Sequence, residues 1–104
     1  EAAPVSTIFV AGLPPDATPR ELDNLCRFLP GFACSKADTK RALTLFARFD
    51  TPDYALIAIS VLNNQPFDRS APGEAMRVVM AKNNMRNDGT SVLSSVMKAQ
   101  PPPP

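Results

Sequence analysis

The segment Ala42–Asp50, with the sequence Ala-Leu-Thr-Leu-Phe-Ala-Arg-Phe-Asp, constrains the fold more than any other part of the chain. Its residues alternate between apolar and polar, which is typical of a strand with one face on a core and the other in solvent. Phe46 breaks the alternation because it falls on the polar face with Thr44 and Arg48. An aromatic ring there, beside a cation, either fills a local hollow or contacts a flat ligand. The apolar face comprises Leu43, Leu45, Ala47 and Phe49.

The chain has 104 residues, which is enough for one domain with a single core and too few for two. No segment approaches the roughly 20 consecutive apolar residues of a membrane span, and no signal-peptide pattern opens the chain. We therefore expect no membrane partner. The net charge of +1 predicts no general attraction of nucleic acid from a distance. The basic residues are uneven, however, and cluster around the strand Ala42–Asp50 and after the last strand.

The cysteines indicate the redox environment and argue against a metal. There are two, Cys26 in an apolar helical stretch and Cys34 in a weaker strand, and there is no histidine. Neither has a partner at ligand spacing, so we expect no zinc site and no cofactor. A disulfide between them stays open, but buried free thiols are the favoured interpretation. These suit a reducing compartment, the cytoplasm, the nucleus or both.

Two helix starts repeat the same local pattern. Thr18-Pro19 and Thr51-Pro52 each place a threonine cap before a proline at the first helical position. Glu21 completes a capping box with Thr18. One apolar stripe follows each start. The stripes are Leu22, Leu25, Cys26 and Leu29 in the first helix, ended by Pro30-Gly31, and Tyr54, Ala55, Ala58, Ile59 and Leu62 in the second, ended by Asn63-Asn64.

Four strand patterns surround these helices and set the element order. β-branched and aromatic residues mark the strands. The resulting order, β-α-β-β-α-β, predicts an α/β two-layer sandwich. The strands are predicted at Thr7–Leu13, Phe32–Ala37, Ala42–Asp50 and Met76–Ala81.

The C-terminal residues 87–104 are predicted to be an extension of a domain that spans residues 6–86. Apolar residues at helix-like spacing predict a short helix that begins near Thr90 or Ser91. Pro101–Pro104 then indicates an extended proline-rich linker. The apolar residues of this extension are Val92, Leu93, Val96 and Met97.

Two segments resemble the RNA-recognition motif (RRM) family. Ile8–Leu13 resembles the shorter ribonucleoprotein motif of its first strand, and Ala42–Phe49 resembles the longer motif of its third strand. In Asp50–Asn64 the apolar residues have the spacing of the family's second helix. The resemblance implies a ferredoxin-like fold with a four-stranded antiparallel sheet.

Within this family the sequence is most similar to the motifs of RNA-binding protein with multiple splicing, couch potato and the Whi3-type fungal proteins. The residues that carry this narrower resemblance are Phe9–Pro14, Pro19–Leu22 and Met76–Lys82. It implies a homodimer formed through the first helix, with Arg20, Glu21 and Asn24 at the interface. Glu21 is equally well explained as a capping residue.

The family resemblance also implies a ligand surface. In an RRM the outward residues of the central strands form a platform on which unpaired bases stack. Phe9 and Phe46 match two stacking positions, whereas Thr44 replaces a further ring and Ala42-Leu43 replaces a basic residue and a glycine. The predicted RNA-binding residues are Phe9, Ala11, Lys36, Thr44, Phe46, Arg48, Arg77, Val79, Lys82, Asn83 and Asn84.

Each of these residues also has a purely structural interpretation. The extension after residue 87 covers Phe9 and Phe46 in one alternative, which would make them core. Arg48 and Arg77 are equally well explained as solvated surface charges, and Thr44 as an ordinary strand residue. These alternatives stay open at the level of sequence.

The leading functional hypothesis is a single-stranded RNA-binding module in post-transcriptional regulation of mRNA. The alternative is an RRM-fold module for protein interaction or homodimerisation, with weak or no RNA binding. Catalysis is disfavoured, because the chain has no histidine, no recognisable carboxylate pair and no glycine-rich phosphate loop.

Overall fold

The computed structural model describes residues 4–84 and confirms the predicted order of strands and helices. The predicted helix and proline-rich linker of the extension lie outside the described residues. The elements are β1 (Thr7–Ala11), α1 (Pro19–Cys26), β2 (Phe32–Asp38), β3 (Thr44–Phe49), α2 (Pro52–Leu62) and β4 (Arg77–Met80).

The strands form one four-stranded antiparallel sheet in the order β2-β3-β1-β4. The two central strands are therefore β1 and β3. Phe9 lies opposite Phe46 in the β1–β3 register and opposite Val79 in the β1–β4 register. Directly opposed residues of antiparallel strands project from the same face. The two rings thus share one face of the sheet.

The other face of the sheet carries the core. The inward residues Ile8 and Val10 of β1 are buried, as are Leu45, Ala47 and Phe49 of β3. This confirms the alternation predicted for the segment Ala42–Asp50. Both helices pack on this face and complete the core. The core residues from the helices, from β4 and from the residue just before β4 are Leu22, Cys26, Ala55, Ala58, Leu62, Met76 and Val78.

Both predicted helix starts are confirmed. The Thr18 hydroxyl accepts a hydrogen bond from the Glu21 N–H at 3.2 Å, and the Glu21 carboxylate accepts one from the Thr18 N–H at 2.8 Å. These two bonds form the predicted capping box. The Thr51 hydroxyl likewise accepts from the Tyr54 N–H at 3.2 Å. The first helix ends at Cys26, before the predicted Pro30-Gly31.

Tyr54 departs from the predicted stripe of α2. The stripe predicts that Tyr54 faces inward, but its side chain is exposed because Ala55 and Ala58 occupy the inward side of the helix. Its ring lies against Gly31, where an added Cβ would meet Tyr54 Cγ at 2.3 Å. Gly31 also has a positive φ of 77°. The turn before β2 therefore depends on the absence of a side chain.

Cys26 and Cys34 are both buried thiols that are not joined in a disulfide, which is the interpretation that the sequence favours. Burial, with a smaller contribution from the Asp23 carboxylate, raises the pKa of the Cys26 thiol to about 12. This thiol is therefore protonated at physiological pH. Between residues 4 and 84 there is no helix long and apolar enough to cross a membrane.

Candidate nucleic-acid interface

The centre of the outward sheet face is an aromatic pair. The ring centroids of Phe9 and Phe46 are 5.1 Å apart, and the ring planes are inclined by 58°. Both side chains are only partly buried among residues 4–84. Tilted rings at this separation attract one another, so each ring holds the other in place. The pair is a preformed apolar surface on the face opposite the helices.

A depression of about 470 Å³ adjoins this pair and extends toward the end of β4. Its floor is largely apolar and includes Val79, which is 55% exposed. The polar residues at its rim follow β4 directly. The full lining is Phe9, Phe46, Val79, Met80, Ala81, Lys82 and Asn83. The shape suits a flat, largely apolar group beside a charged one.

Met80 and Ala81 belong to this depression but were not among the predicted site residues. Met80 lies opposite Ile8 in the strand register, so alternation assigns it to the core side. The last strand ends at Met80, however, and the residues that follow it line the depression together with the aromatic pair. No residue-type signal in the sequence marks a position of this kind.

Four predicted basic residues surround the pair on the outward face or its rim. Lys36 lies opposite Phe46 in the β2–β3 register, and Arg77 lies opposite Ala11 in the β1–β4 register. Arg48 is half-buried, two residues after Phe46 along β3. The fourth is Lys82, which is exposed and lines the depression. Their spread over all sides of the platform suits the diffuse charge of a phosphate backbone.

Thr44 occupies the position at which the family resemblance implies a further ring. It lies opposite Asp38 at the end of the β2–β3 pairing and is half-buried. Its hydroxyl donates a long hydrogen bond of 3.5 Å to the Asp38 carbonyl oxygen. The outward face of the sheet is therefore aromatic at Phe9 and Phe46 and polar at Thr44.

Asn84 is held differently from its neighbour Asn83. Its Oδ1 atom accepts hydrogen bonds from the Ser6 N–H at 2.7 Å and from the Thr7 hydroxyl at 2.9 Å. Its Nδ2 atom donates to the Pro4 carbonyl oxygen at 2.9 Å. Asn83, by contrast, is exposed and lines the depression. Of the two asparagines predicted to read bases, only Asn83 has an exposed side chain, whereas the carboxamide of Asn84 is hydrogen-bonded within the protein.

The predicted dimer residues are on the helical layer, apart from the aromatic platform. Arg20, Glu21 and Asn24 are all exposed on α1. The Glu21 carboxylate takes part in the capping box, and Asn24 Oδ1 accepts a hydrogen bond from Arg27 Nε at 3.0 Å. Two of the three side chains therefore have local structural roles.

The fold and this surface can be compared with known proteins. No protein-family model matches the sequence. Its fold is similar to the solved C-terminal RRM domain of MEC-8 bound to AGCACA, with a TM-score of 0.65 and 23% identity; the match covers 81% of this chain and 99% of that one. The chain has the fold of an RNA-recognition motif. The chain is also similar in fold to an RRM of Plasmodium falciparum SR1 in complex with ACAUCA RNA, with a TM-score of 0.54, 24% identity, and 79% of this chain and 90% of that one covered.

A curated relative adds a likeness in sequence. The RNA-binding protein, mRNA-processing factor 2a, of Danio rerio is 37% identical over 101 residues, which are 95% of this chain and 47% of the relative. The chain therefore spans about half the length of that relative.

Proposed function

We propose that this RRM is a single-stranded RNA-binding module that acts in post-transcriptional regulation of mRNA. The observation that carries the proposal is the Phe9–Phe46 pair on the open face of the sheet. Unpaired bases stack on such rings, and each stack contributes roughly 1–3 kcal/mol of binding free energy. The name of the curated relative and the RNA in the Plasmodium falciparum complex support this function.

The surroundings of the pair suggest how the other groups act. A base on Phe9 and Phe46 leaves the apolar floor at Val79 free for the face of a neighbouring base. Lys82 and Asn83 at the rim then contact phosphates or base edges. Phosphate contacts fix the position of the RNA, whereas base-edge contacts carry the sequence preference. In this proposal Lys36, Arg48 and Arg77 contact phosphates, and Ala11 and Thr44 complete the surface.

We also propose that the domain is related most nearly to the motifs of RNA-binding protein with multiple splicing, couch potato and the Whi3-type proteins. We further propose that the protein is located in the cytoplasm, the nucleus or both. The proposal also includes a domain spanning residues 6–86, with residues 87–104 as an extension. These parts rest on the sequence motifs and on the name of the curated relative.

Titration of single-stranded RNA tests the proposal directly. The hexamer ACAUCA and a pool of random hexamers are titrated into the wild type and into a Phe9→Ala/Phe46→Ala variant. Loss of both stacks is expected to weaken binding at least about tenfold. Phe28→Ala is the matched control, because Phe28 is 73% exposed just after α1 and belongs to the helical layer. Equal affinity of the wild type and a folded double variant contradicts the proposal.

A second candidate function is protein interaction. The helix α2 is apolar on its outer side as well as its inner side, with Leu56 55%, Ile57 44% and Val61 48% exposed. Helices that are apolar all round are usually covered by protein. We propose a protein partner, or a second copy of this chain, as the alternative role of the domain.

The homodimer form of this alternative uses α1. Arg20 and Glu21 are exposed there and, in a two-fold arrangement, would pair with their counterparts on the second copy. Size-exclusion chromatography with light scattering is expected to show a dimer that Arg20→Glu dissociates. Substitution of Glu21 is a poor test because it also removes the capping box. A monomer at high micromolar concentration contradicts the dimer.

A further inference from the structure

The carboxamide of Asn84 joins the two ends of the described chain. Oδ1 accepts from the Ser6 N–H and the Thr7 hydroxyl at 2.7 and 2.9 Å, and from the Ser6 hydroxyl at 3.4 Å. Nδ2 donates to the Pro4 carbonyl oxygen at 2.9 Å. A carboxamide oxygen has two lone pairs, and both have good donors here. An Asn84 that read a base through Oδ1 would first have to release these bonds.

The Asn84 carboxamide also fixes one end of a short segment at the rim of the depression. Just beyond β4, the Ala81 N–H donates to the Thr7 carbonyl oxygen at 2.8 Å. Lys82 and Asn83 lie between this bond and the anchored Asn84. Both are exposed and line the depression beside Phe9. The rim of the site is thus a two-residue span attached to the start of β1 at both of its ends.

We propose that Asn84 is a positioning residue for RNA binding, in that its bonds to Pro4, Ser6 and Thr7 hold Lys82 and Asn83 at the rim of the platform. This inference rests on the proposed RNA-binding function. Groups that are ordered before binding lose less conformational entropy when the ligand arrives. Asn84 therefore raises RNA affinity without contacting RNA, which differs from the base-reading role predicted from the sequence.

Asn84→Ala is the first test. It is expected to weaken binding of ACAUCA RNA about five- to thirtyfold, in the range of a lost preorganised contact. Ser60→Ala is the control, because it removes one exposed side-chain hydrogen bond, 2.7 Å to the Ile57 carbonyl oxygen, from the helical layer. It is expected to bind as the wild type does. Thermal unfolding of each variant shows that the protein is folded at the temperature of the titration.

Thr7→Val provides a second variant in case Asn84→Ala is unstable. It nearly preserves the shape of the side chain and removes the hydroxyl that donates to Asn84 Oδ1. A smaller fall in affinity is expected, about threefold. Wild-type affinity in both folded variants overturns the inference. If the Phe9→Ala/Phe46→Ala variant also binds normally, the RNA-binding function itself is wrong; if only that variant loses binding, the positioning role alone is wrong.

A double-mutant cycle separates positioning from a general structural effect. Lys82→Ala is expected to weaken binding in the wild type and to have a much smaller effect in the Asn84→Ala background. Lys36→Ala, on the opposite side of the platform, is expected to cost the same in both backgrounds. Coupling confined to Lys82 supports the inference, because independent sites are additive. Additivity of Asn84→Ala with Lys82→Ala contradicts it.

Discussion

Phe9 and Phe46 are directly opposed in the β1–β3 register, and their ring centroids are 5.1 Å apart at an inclination of 58°. The two rings therefore form one surface rather than two independent platforms. In the proposed RNA complex, a base that stacks on one ring is expected to touch the edge of the other. The aromatic pair is thus expected to respond as a unit when either ring is removed.

The first prediction concerns this coupling. Phe9→Ala and Phe46→Ala are each expected to weaken RNA binding by about 1–3 kcal/mol. The double variant is expected to lose less than the sum of the two, by at least about 0.5 kcal/mol, because each single substitution already disturbs the remaining ring. Fluorescence anisotropy with a labelled hexamer measures all three affinities. Strict additivity would show that the rings bind independently.

The second prediction concerns Thr44, which stands where the family resemblance implies an aromatic ring. Thr44 and Phe46 are two positions apart on β3 and so share the outward face. Thr44→Tyr extends the stacking surface and is expected to tighten RNA binding about five- to tenfold, at the lower end of one stacking contribution. Thr39→Tyr adds the same ring to an exposed loop position and is expected to have no such effect. An equal gain in both variants would point to non-specific attraction.

Local sequence patterns predicted most of the fold because they act within a few residues. The capping box of Thr18 and Glu21 needs only the spacing of two side chains. The burial of every second residue at Leu45, Ala47 and Phe49 needs only the pleat of a strand. The shared face of Phe9 and Phe46 additionally needed the resemblance to a family with a known strand order, since no local pattern specifies which strands are neighbours.

The hydrogen bonds of Asn84 are not predictable in this way. Its partners Ser6 and Thr7 are 78 and 77 positions away in the sequence, and they meet it only because β1 and β4 are neighbours. An asparagine also has no strong preference that would distinguish an intramolecular bond from a base contact. The exposure of Tyr54 was missed for a related reason, because the smaller alanines of α2 fit closer to the sheet.

The third prediction tests the turn that follows β1. Gly12 has a φ of 80°, and an added Cβ would be 2.8 Å from the Ala75 carbonyl oxygen. Gly12→Ala is expected to lower the free energy of unfolding by about 1–3 kcal/mol. Gly73→Ala meets nothing within 4 Å and is expected to be neutral or slightly stabilising. Chemical denaturation measures both, and equal stability of the two variants would contradict the strained contact.

The fourth prediction concerns pH and the buried thiol of Cys26. Burial, and to a lesser extent the Asp23 carboxylate, raise the pKa of this thiol from 9.0 to about 12 in the folded state. Above pH 9 the unfolded chain loses the thiol proton while the folded chain keeps it, so stability decreases as the pH rises toward 12. Each pH unit in this window removes up to about 1.4 kcal/mol.

Comparison with Cys26→Ala isolates this contribution, because every other titrating group is common to both proteins. The variant lacks the packing of the buried sulfur and is expected to be less stable than the wild type at pH 7. The difference in unfolding free energy should shrink steadily between pH 9 and pH 10.5, as the wild type alone loses the contribution of the protonated thiol. Urea denaturation of both proteins under reducing conditions at several pH values measures this difference in unfolding free energy. A difference that stays constant over this range would show that the thiol ionises equally well in the folded and unfolded states.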